Sequence, residues 1–300
     1  MDTAELRRKV AGVFAPISTP FAEDEEADYE GLKCNMDYYA RSEILGYLAL
    51  GSNGENKSLT EEEKLRVLDT IVKHRGRHQV VMAGATYDAQ RDTERFFKQA
   101  AGLGADFGLL LAPGYFRKQM TEEVLHRYFT TAADVSPIPL LLYNAPGFCG
   151  VTLAPELVRR LSEHPNIVGM KDSAASGIEN FLRWESDCFH VLAGSANFLF
   201  PAMLGGALGG TVSLANSFPA VAVELFRYGQ ARDEARGVPF QERVKRINNT
   251  IAGTHGPAGV KAAMNLAGLR GGIPRRPLLP LSPGQQEELR RFLIEEGLLH

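Results

Sequence analysis

A lysine inside an apolar run is the first residue whose chemistry needs explaining. Lys171 follows Ile167-Val168-Gly169-Met170 and precedes Asp172-Ser173. Lysine is almost never fully buried unless it is paired. Taking an amine out of water disfavours its charged form, and a neutral amine can attack a ketone to form a Schiff base. Such a position suits either a nucleophile or a lysine tied to an acid at a strand end, and the residue alone leaves both open. Tyr143 ends the preceding apolar run. Its phenol can pass protons in a dry pocket, or it can be an amphipathic core side chain with a satisfied hydroxyl. Its place on the run next to that of Lys171 favours the proton relay. A third feature, Gly51-Ser52-Asn53-Gly54-Glu55, closes another run. Glycines permit positive φ, and successive N–H groups can cradle an anion. A tight strand-to-helix turn has the same composition.

Other features carry less. Gly205-Gly206-Ala207-Leu208-Gly209-Gly210 precedes a strand pattern, so it lacks the strand-then-helix order of a dinucleotide fingerprint. The seven histidines are scattered over helical and loop segments, and no metal site is expected. Lys261, in GVKAAMNLAGL, reads as helix away from strand ends and ranks below Lys171. Cys34, Cys149 and Cys188 form no CxxC pair, which suits a reducing cytoplasm. A net charge of −3 gives no basic excess for nucleic acid, and the Arg275-Arg276 pair is too short for a patch. The longest apolar stretch, 199–212, contains four glycines and falls short of a membrane span. The N-terminal ten residues lack an apolar signal core.

Positioning these residues requires a frame, and the chain supplies a regular one. Eight apolar runs recur: GVFAPIS (12–18), LGYLALGS (45–52), QVVMAGAT (79–86), DFGLLLAP (106–113), PLLLYNAP (139–146), NIVGMKDS (166–173), HVLAGSA (190–196) and GGTVSLAN (209–216). They are apolar on consecutive positions, as strands covered on both faces are in parallel sheets. Helical patterns lie between them. Thr60 with Glu63 forms a capping box, Thr121 opens another helix, Pro155 suits a first turn, and Ser282 with Gln285 opens a final helix. Eight strand–helix units predict an α/β fold, a (β/α)8 TIM barrel, over 1–216. A helical C-terminal region over 217–300 is expected to pack on it without a flexible linker. The doubly wound sheet is the alternative. In a barrel the active site lies at the C-terminal ends of the strands, where GSNGE, Tyr143 and Lys171 all fall.

GSNGE at 51–55, YNAP at 143–146, GMKDS at 169–173 and the Gly194 and Val212 segments, in that order, resemble the pyruvate-dependent class I aldolase and lyase family that includes dihydrodipicolinate synthase and N-acetylneuraminate lyase. The resemblance covers nearly the whole chain and implies a barrel with a C-terminal helical region, assembled as a homotetramer, a dimer of dimers. It implies that Lys171 forms a Schiff base with pyruvate or another 2-oxo acid and that Tyr143 relays protons. Ser52 would link Tyr143 to a second tyrosine, Tyr115, contributed by a neighbouring subunit. The turn at Ser52 and Asn53 would hold the substrate carboxylate, with Gly194 and Val212 lining the pocket. No metal or redox cofactor is required, since the iminium is itself the electron sink.

Two departures bear on the reaction. Many members carry threonine where this chain has Asn53. Dihydrodipicolinate synthases usually carry an arginine two residues after the YNxP proline to bind the carboxylate of aspartate semialdehyde, and here that residue is Phe148. The SPIPLLLY, HPNIVGMKDS and VLAGSA runs are most similar to the 4-hydroxy-2-oxoglutarate aldolase branch, so cleavage of a 4-hydroxy-2-oxo acid to pyruvate and an aldehyde is the leading expectation. Dihydrodipicolinate synthesis, and aldol cleavage or dehydration of a 2-keto-3-deoxy sugar acid, are the alternatives. A non-catalytic binding protein for 2-oxo acids is the reading outside enzymes, although pure binding needs neither Lys171 nor Tyr143.

Overall fold

The computed structural model describes residues 1–299. Eight parallel strands close in sequence order into a barrel, the last pairing with the first. They are β1 (Val13–Pro16), β2 (Gly46–Ala49), β3 (Val80–Ala85), β4 (Phe107–Leu111), β5 (Leu140–Asn144), β6 (Ile167–Asp172), β7 (His190–Ala193) and β8 (Gly209–Thr211). Every residue of every strand is buried. One face of each strand fills the barrel and the other meets a helix, so consecutive apolar residues are required rather than alternation. The protein is a (β/α)8 barrel with C-terminal helices.

The helices between strands begin where local chemistry starts them. Thr60 and Glu63 form the reciprocal capping box at the head of Glu61–His74. Thr121 caps Glu122–Val135, and Pro155 opens Pro155–Ser162. After β6 the helix shrinks to one turn, Glu179–Leu182. A further helix, Thr3–Val10, precedes β1 and buries Leu6 and Val10.

Beyond β8, the turn Ser213–Asn216 is stitched to the end of β1. The Asn216 carboxamide accepts from Ser18 N (3.1 Å) and donates to Pro16 O (2.9 Å). Helices Pro219–Gln230, Glu234–Asn248, Thr254–Leu266 and Pro283–Glu295 follow. Val244, Ile247, Val260, Met264, Leu289 and Leu293 belong to the same continuous hydrophobic core as the barrel residues. The helix Thr254–Leu266 is broken at Gly256, whose φ of 55° suits a residue without a side chain, and Pro257 then removes a donor. The segment after it returns across the loops that leave β1 and β2. Ile273 bridges Phe21, and Arg275 binds Glu63 (2.7 Å), Ser58 O (2.7 Å) and Glu25 O (2.6 Å). No helix among the described residues is long and apolar enough to cross a membrane.

Candidate active site

Strand register brings the first two residues together. Tyr143 on β5 lies directly across from Lys171 on β6. Paired residues of neighbouring strands face the same side. The Lys171 amine accordingly stands 3.4 Å from the Tyr143 hydroxyl and 4.5 Å from the centre of its ring. Lys171 is 5% exposed, and among the described residues no carboxylate pairs with it. A buried amine with a phenol as its polar neighbour differs from the lysine tied to an acid that its position also permitted. Such a pair can attack a carbonyl and move the accompanying protons.

The next residues along, Asn144 and Asp172, are also opposite one another and face the other side. The Asn144 amide donates to the Asp172 carboxylate (2.7 Å), and its carbonyl accepts from Leu153 N (3.0 Å). Both side chains are fully buried. Burial pushes the Asp172 carboxyl above its ordinary range, opposed by the bonds from Ala174 N and Asn144. This clasp fixes the strand ends that carry Tyr143 and Lys171. The composition of the runs did not reveal it, because its two members lie 28 residues apart.

The turn after β2 stands at the same end of the barrel. Ser52, Asn53 and Gly54 form one helical turn, and Ser52 and Asn53 are half-buried. Two non-glycine residues bracket it in the left-handed region, Leu50 (φ 59°) and Glu55 (φ 51°). Each such conformation costs about 1–3 kcal/mol and persists only where the surroundings over-determine it. Here the surroundings do so: Asn56 donates to Leu50 O (2.6 Å), and Thr19 donates to Gly54 O (2.8 Å). The fully buried Glu55 carboxylate meets the Lys261 amine at 2.5 Å. Sequence separation misled on Lys261. It lies on a helix, as expected, but it is not remote from the strand ends. The break at Gly256 and the packing of its helix bring the amine onto the loop that follows β2.

The remaining expected residues are dispersed around the same rim. Gly194 follows β7, and its N–H donates to Asp172 O (2.6 Å). A Cβ there would lie 2.0 Å from Ser173 Oγ and 2.4 Å from Asp172 O, so only glycine fits. Val212 is fully buried at the end of β8. Tyr115, in the loop after β4, is 80% exposed, and its N–H and that of Gly114 are held by Asp88. Phe148, on the turn Pro146–Cys149 after β5, is 66% exposed. The two loops touch, since a Cβ on Gly114 would lie 2.6 Å from Cys149 O. The Arg117 side chain borders this turn, 3.2 Å from where a Cβ of Gly150 would sit. Within one chain no hydrogen bond among the described residues joins Ser52 to Tyr143 or Tyr115. His74 and His78 stand four apart, but the helix ends at His74 and Arg75 is extended, so they share no helical face. No group of three or more His, Cys, Asp or Glu among the described residues is arranged to hold a metal ion. A cleft of about 420 Å³ lies at the opposite end of the barrel, lined by Gly12, Leu45 and Gln79.

The model of the dihydrodipicolinate synthetase family matches residues 9–296. The 4-hydroxy-tetrahydrodipicolinate synthase of Neisseria gonorrhoeae is 32% identical over 96% of this chain and 99% of its own. The enzyme of the same name from Methanoculleus marisnigri is 31% identical over 95% and 99%. Among solved structures, the chloride-inhibited dihydrodipicolinate synthase of Acinetobacter baumannii, complexed with pyruvate, superposes with a TM-score of 0.90 at 29% identity, covering 97% of this chain and 100% of that one. A prophage protein of the same family from E. coli K12, also complexed with pyruvate, gives 0.89 at 27% identity, covering 96% and 99%.

Proposed function

The chain belongs to the dihydrodipicolinate synthetase family, and from that premise we propose that it joins pyruvate to an aldehyde through a Schiff base on Lys171, as a 4-hydroxy-tetrahydrodipicolinate synthase. Members of the family are lyases that form a Schiff base with pyruvate. The observation that carries the reading is the buried Lys171 amine, paired with no carboxylate among the described residues and 3.4 Å from the Tyr143 hydroxyl. The names of the relatives favour the synthase over the 4-hydroxy-2-oxoglutarate aldolase expected from the sequence runs, which the comparisons do not single out.

In this mechanism the Lys171 nitrogen adds to C2 of pyruvate. Tyr143 delivers the proton with which the C2 oxygen leaves as water, and an iminium remains. The Tyr143 phenolate then takes a C3 proton, which gives an enamine and restores the phenol. Its C3 attacks the aldehyde carbon, forming the new C–C bond, and Tyr143 protonates the resulting alkoxide. Attack on the iminium carbon, by water or by an amine of the product, frees Lys171. The carboxylate of pyruvate lies against the backbone N–H groups of the Ser52–Asn53 turn, with Gly194 and Val212 on the far side. Tyr115, exposed in one chain, completes the relay through Ser52 in a second copy of an oligomer. Mixed oligomers of inactive Tyr115→Phe and inactive Lys171→Ala chains therefore regain partial activity. Failure of rescue after verified subunit exchange removes Tyr115 from the chemistry of a neighbouring site.

The second carboxylate, that of aspartate semialdehyde, needs a donor that Phe148 cannot supply. We assign that role to Arg117, whose side chain borders the same turn. A charge-assisted contact contributes roughly 1.5–3 kcal/mol, about one to two powers of ten in affinity. Arg117→Ala is expected to raise the KM for the semialdehyde by about that factor. Phe148 also favours a second reading, cleavage of a 4-hydroxy-2-oxo acid whose aldehyde half carries no carboxylate there. Assaying both reactions decides between them. Pyruvate release from 4-hydroxy-2-oxoglutarate without condensation of pyruvate and aspartate semialdehyde would establish the second reading and refute the first.

A further inference from the structure

We propose that the buried Glu55–Lys261 pair is a positioning device of the active site, holding the 51–54 turn in the shape whose backbone N–H groups receive the carboxylate of the 2-oxo acid. The inference rests on the pyruvate reading above and deepens it.

Glu55 is the residue on which the turn closes, and it closes in a left-handed conformation that a glutamate adopts only when held. Both of its oxygens are taken from the C-terminal part of the chain. Lys261 Nζ reaches Oε1 at 2.5 Å, and Arg275 N donates to Oε2 at 2.9 Å. Lys261 in turn donates to Ile273 O (2.7 Å) and lies 4.2 Å over the Phe21 ring. Both charged side chains are 1% exposed. A pair so buried contributes little net stability, because desolvation offsets the attraction and an apolar pair of similar volume serves as well or better. What an apolar pair cannot do is hold the Glu55 carboxylate by an ion pair on one oxygen and a hydrogen bond on the other. Thr19 and Asn56 fasten the turn from β1 and from its own exit. The contacts to Glu55 are what ties it to the C-terminal region, 206 and 220 positions further along. Glu55 and Lys261 touch neither substrate nor Lys171 in this account, so they act through the turn.

The test is the neutral double variant Glu55→Gln with Lys261→Met, which leaves no unpaired buried charge. Thermal melting and gel filtration verify its fold. The folded variant is expected to raise the KM for pyruvate at least tenfold while kcat at saturating pyruvate stays within about threefold. Borohydride trapping of pyruvate on Lys171 should require correspondingly more pyruvate. Trapping of pyruvamide, which has the ketone without the carboxylate, should be unchanged. A folded variant with the wild-type KM and trapping curve overturns the inference, because a purely structural pair predicts that result. Equal losses for pyruvate and pyruvamide overturn it too, since the defect would then lie at Lys171. Should the double variant not fold, Glu55→Gln alone is read by the same two curves with the same outcomes. Wild-type protein that traps no pyruvate refutes the function reading and this inference together. Wild-type trapping with unaltered variants refutes only the inference.

Discussion

Lys171 and Lys261 are both nearly excluded from solvent, at 5% and 1% exposed, and their surroundings differ in kind. Lys261 has an acid, a carbonyl and an aromatic face within reach. Burial holds its ammonium below the ordinary lysine range, and Glu55 works against that shift. Lys171 has a phenol, and no ion pair among the described residues. Burial alone therefore does not mark a nucleophile. The distinction lies in whether an acid holds the amine. Glu55 ties one lysine into the scaffold, and the other has a phenol as its polar neighbour.

The same substitution at the two positions breaks this comparison if it is wrong. Lys171→Met is expected to abolish both turnover and the borohydride-trapped pyruvate adduct, read by intact mass, while Lys261→Met retains an adduct on Lys171. An adduct mapping to Lys261 would reverse the assignments. The next largest effect belongs to the phenol. Tyr143→Phe should leave pyruvate binding in place and slow kcat by about 10²–10⁴-fold, the usual contribution of a general acid–base group, and a near wild-type kcat would remove it from the relay. Stability should show the opposite order. Lys261→Met leaves Glu55 buried and uncompensated and should destabilise by about 3–5 kcal/mol, seen as an early midpoint in urea. Lys171→Met strands no partner and should match or exceed wild type in the same titration.

The smallest effect concerns the clasp beside Lys261. Arg275 holds the Glu63 carboxyl down to about 2 from its ordinary 4.5, chiefly through their hydrogen bonds. Below 4.5 the unfolded chain binds this proton and the folded chain does not, so stability falls as the pH drops. The contribution is complete above pH 4.5 and is lost as pH falls toward 2. Glu63→Gln should flatten that part of an acid melting series and leave the neutral-pH rate unchanged. An unaltered acid slope would show that the clasp does not hold the segment.

How far these positions could be read from the chain depended on how local their cause was. All eight strands, and the capping of Glu61–His74 and Pro283–Glu295, follow from contiguous residues: apolar runs, Thr60 with Glu63, Ser282 with Gln285. Lys171 and Tyr143 stood out because a polar group in a buried run is locally anomalous. Strand order then placed them side by side. Lys261 was set aside for the converse reason. Nothing in GVKAAMNLAGL says that a glycine–proline break five residues earlier turns the helix toward Glu55. Asn144, Asp172 and Arg275 were hidden in the same way, each gaining its meaning from a partner brought near only by the fold. Phe148 shows a further limit. Its type was plain and its exposure was not; Arg117 is legible as another candidate to hold the semialdehyde carboxylate, and its place beside the Phe148 turn is a matter of three dimensions.

The reach of Arg275 back to Glu55 has a consequence for how the protein is made. A chain emerging from the ribosome has all eight strands available once Thr211 is out, and barrel closure is then topologically possible. The 51–54 turn still lacks its two C-terminal anchors, which arrive 50 and 64 residues later. Contacts so distant in sequence form late, since loop closure must precede their reward. The 51–54 turn is thus among the last parts of the molecule to be set, after residues well beyond the eighth strand have been made.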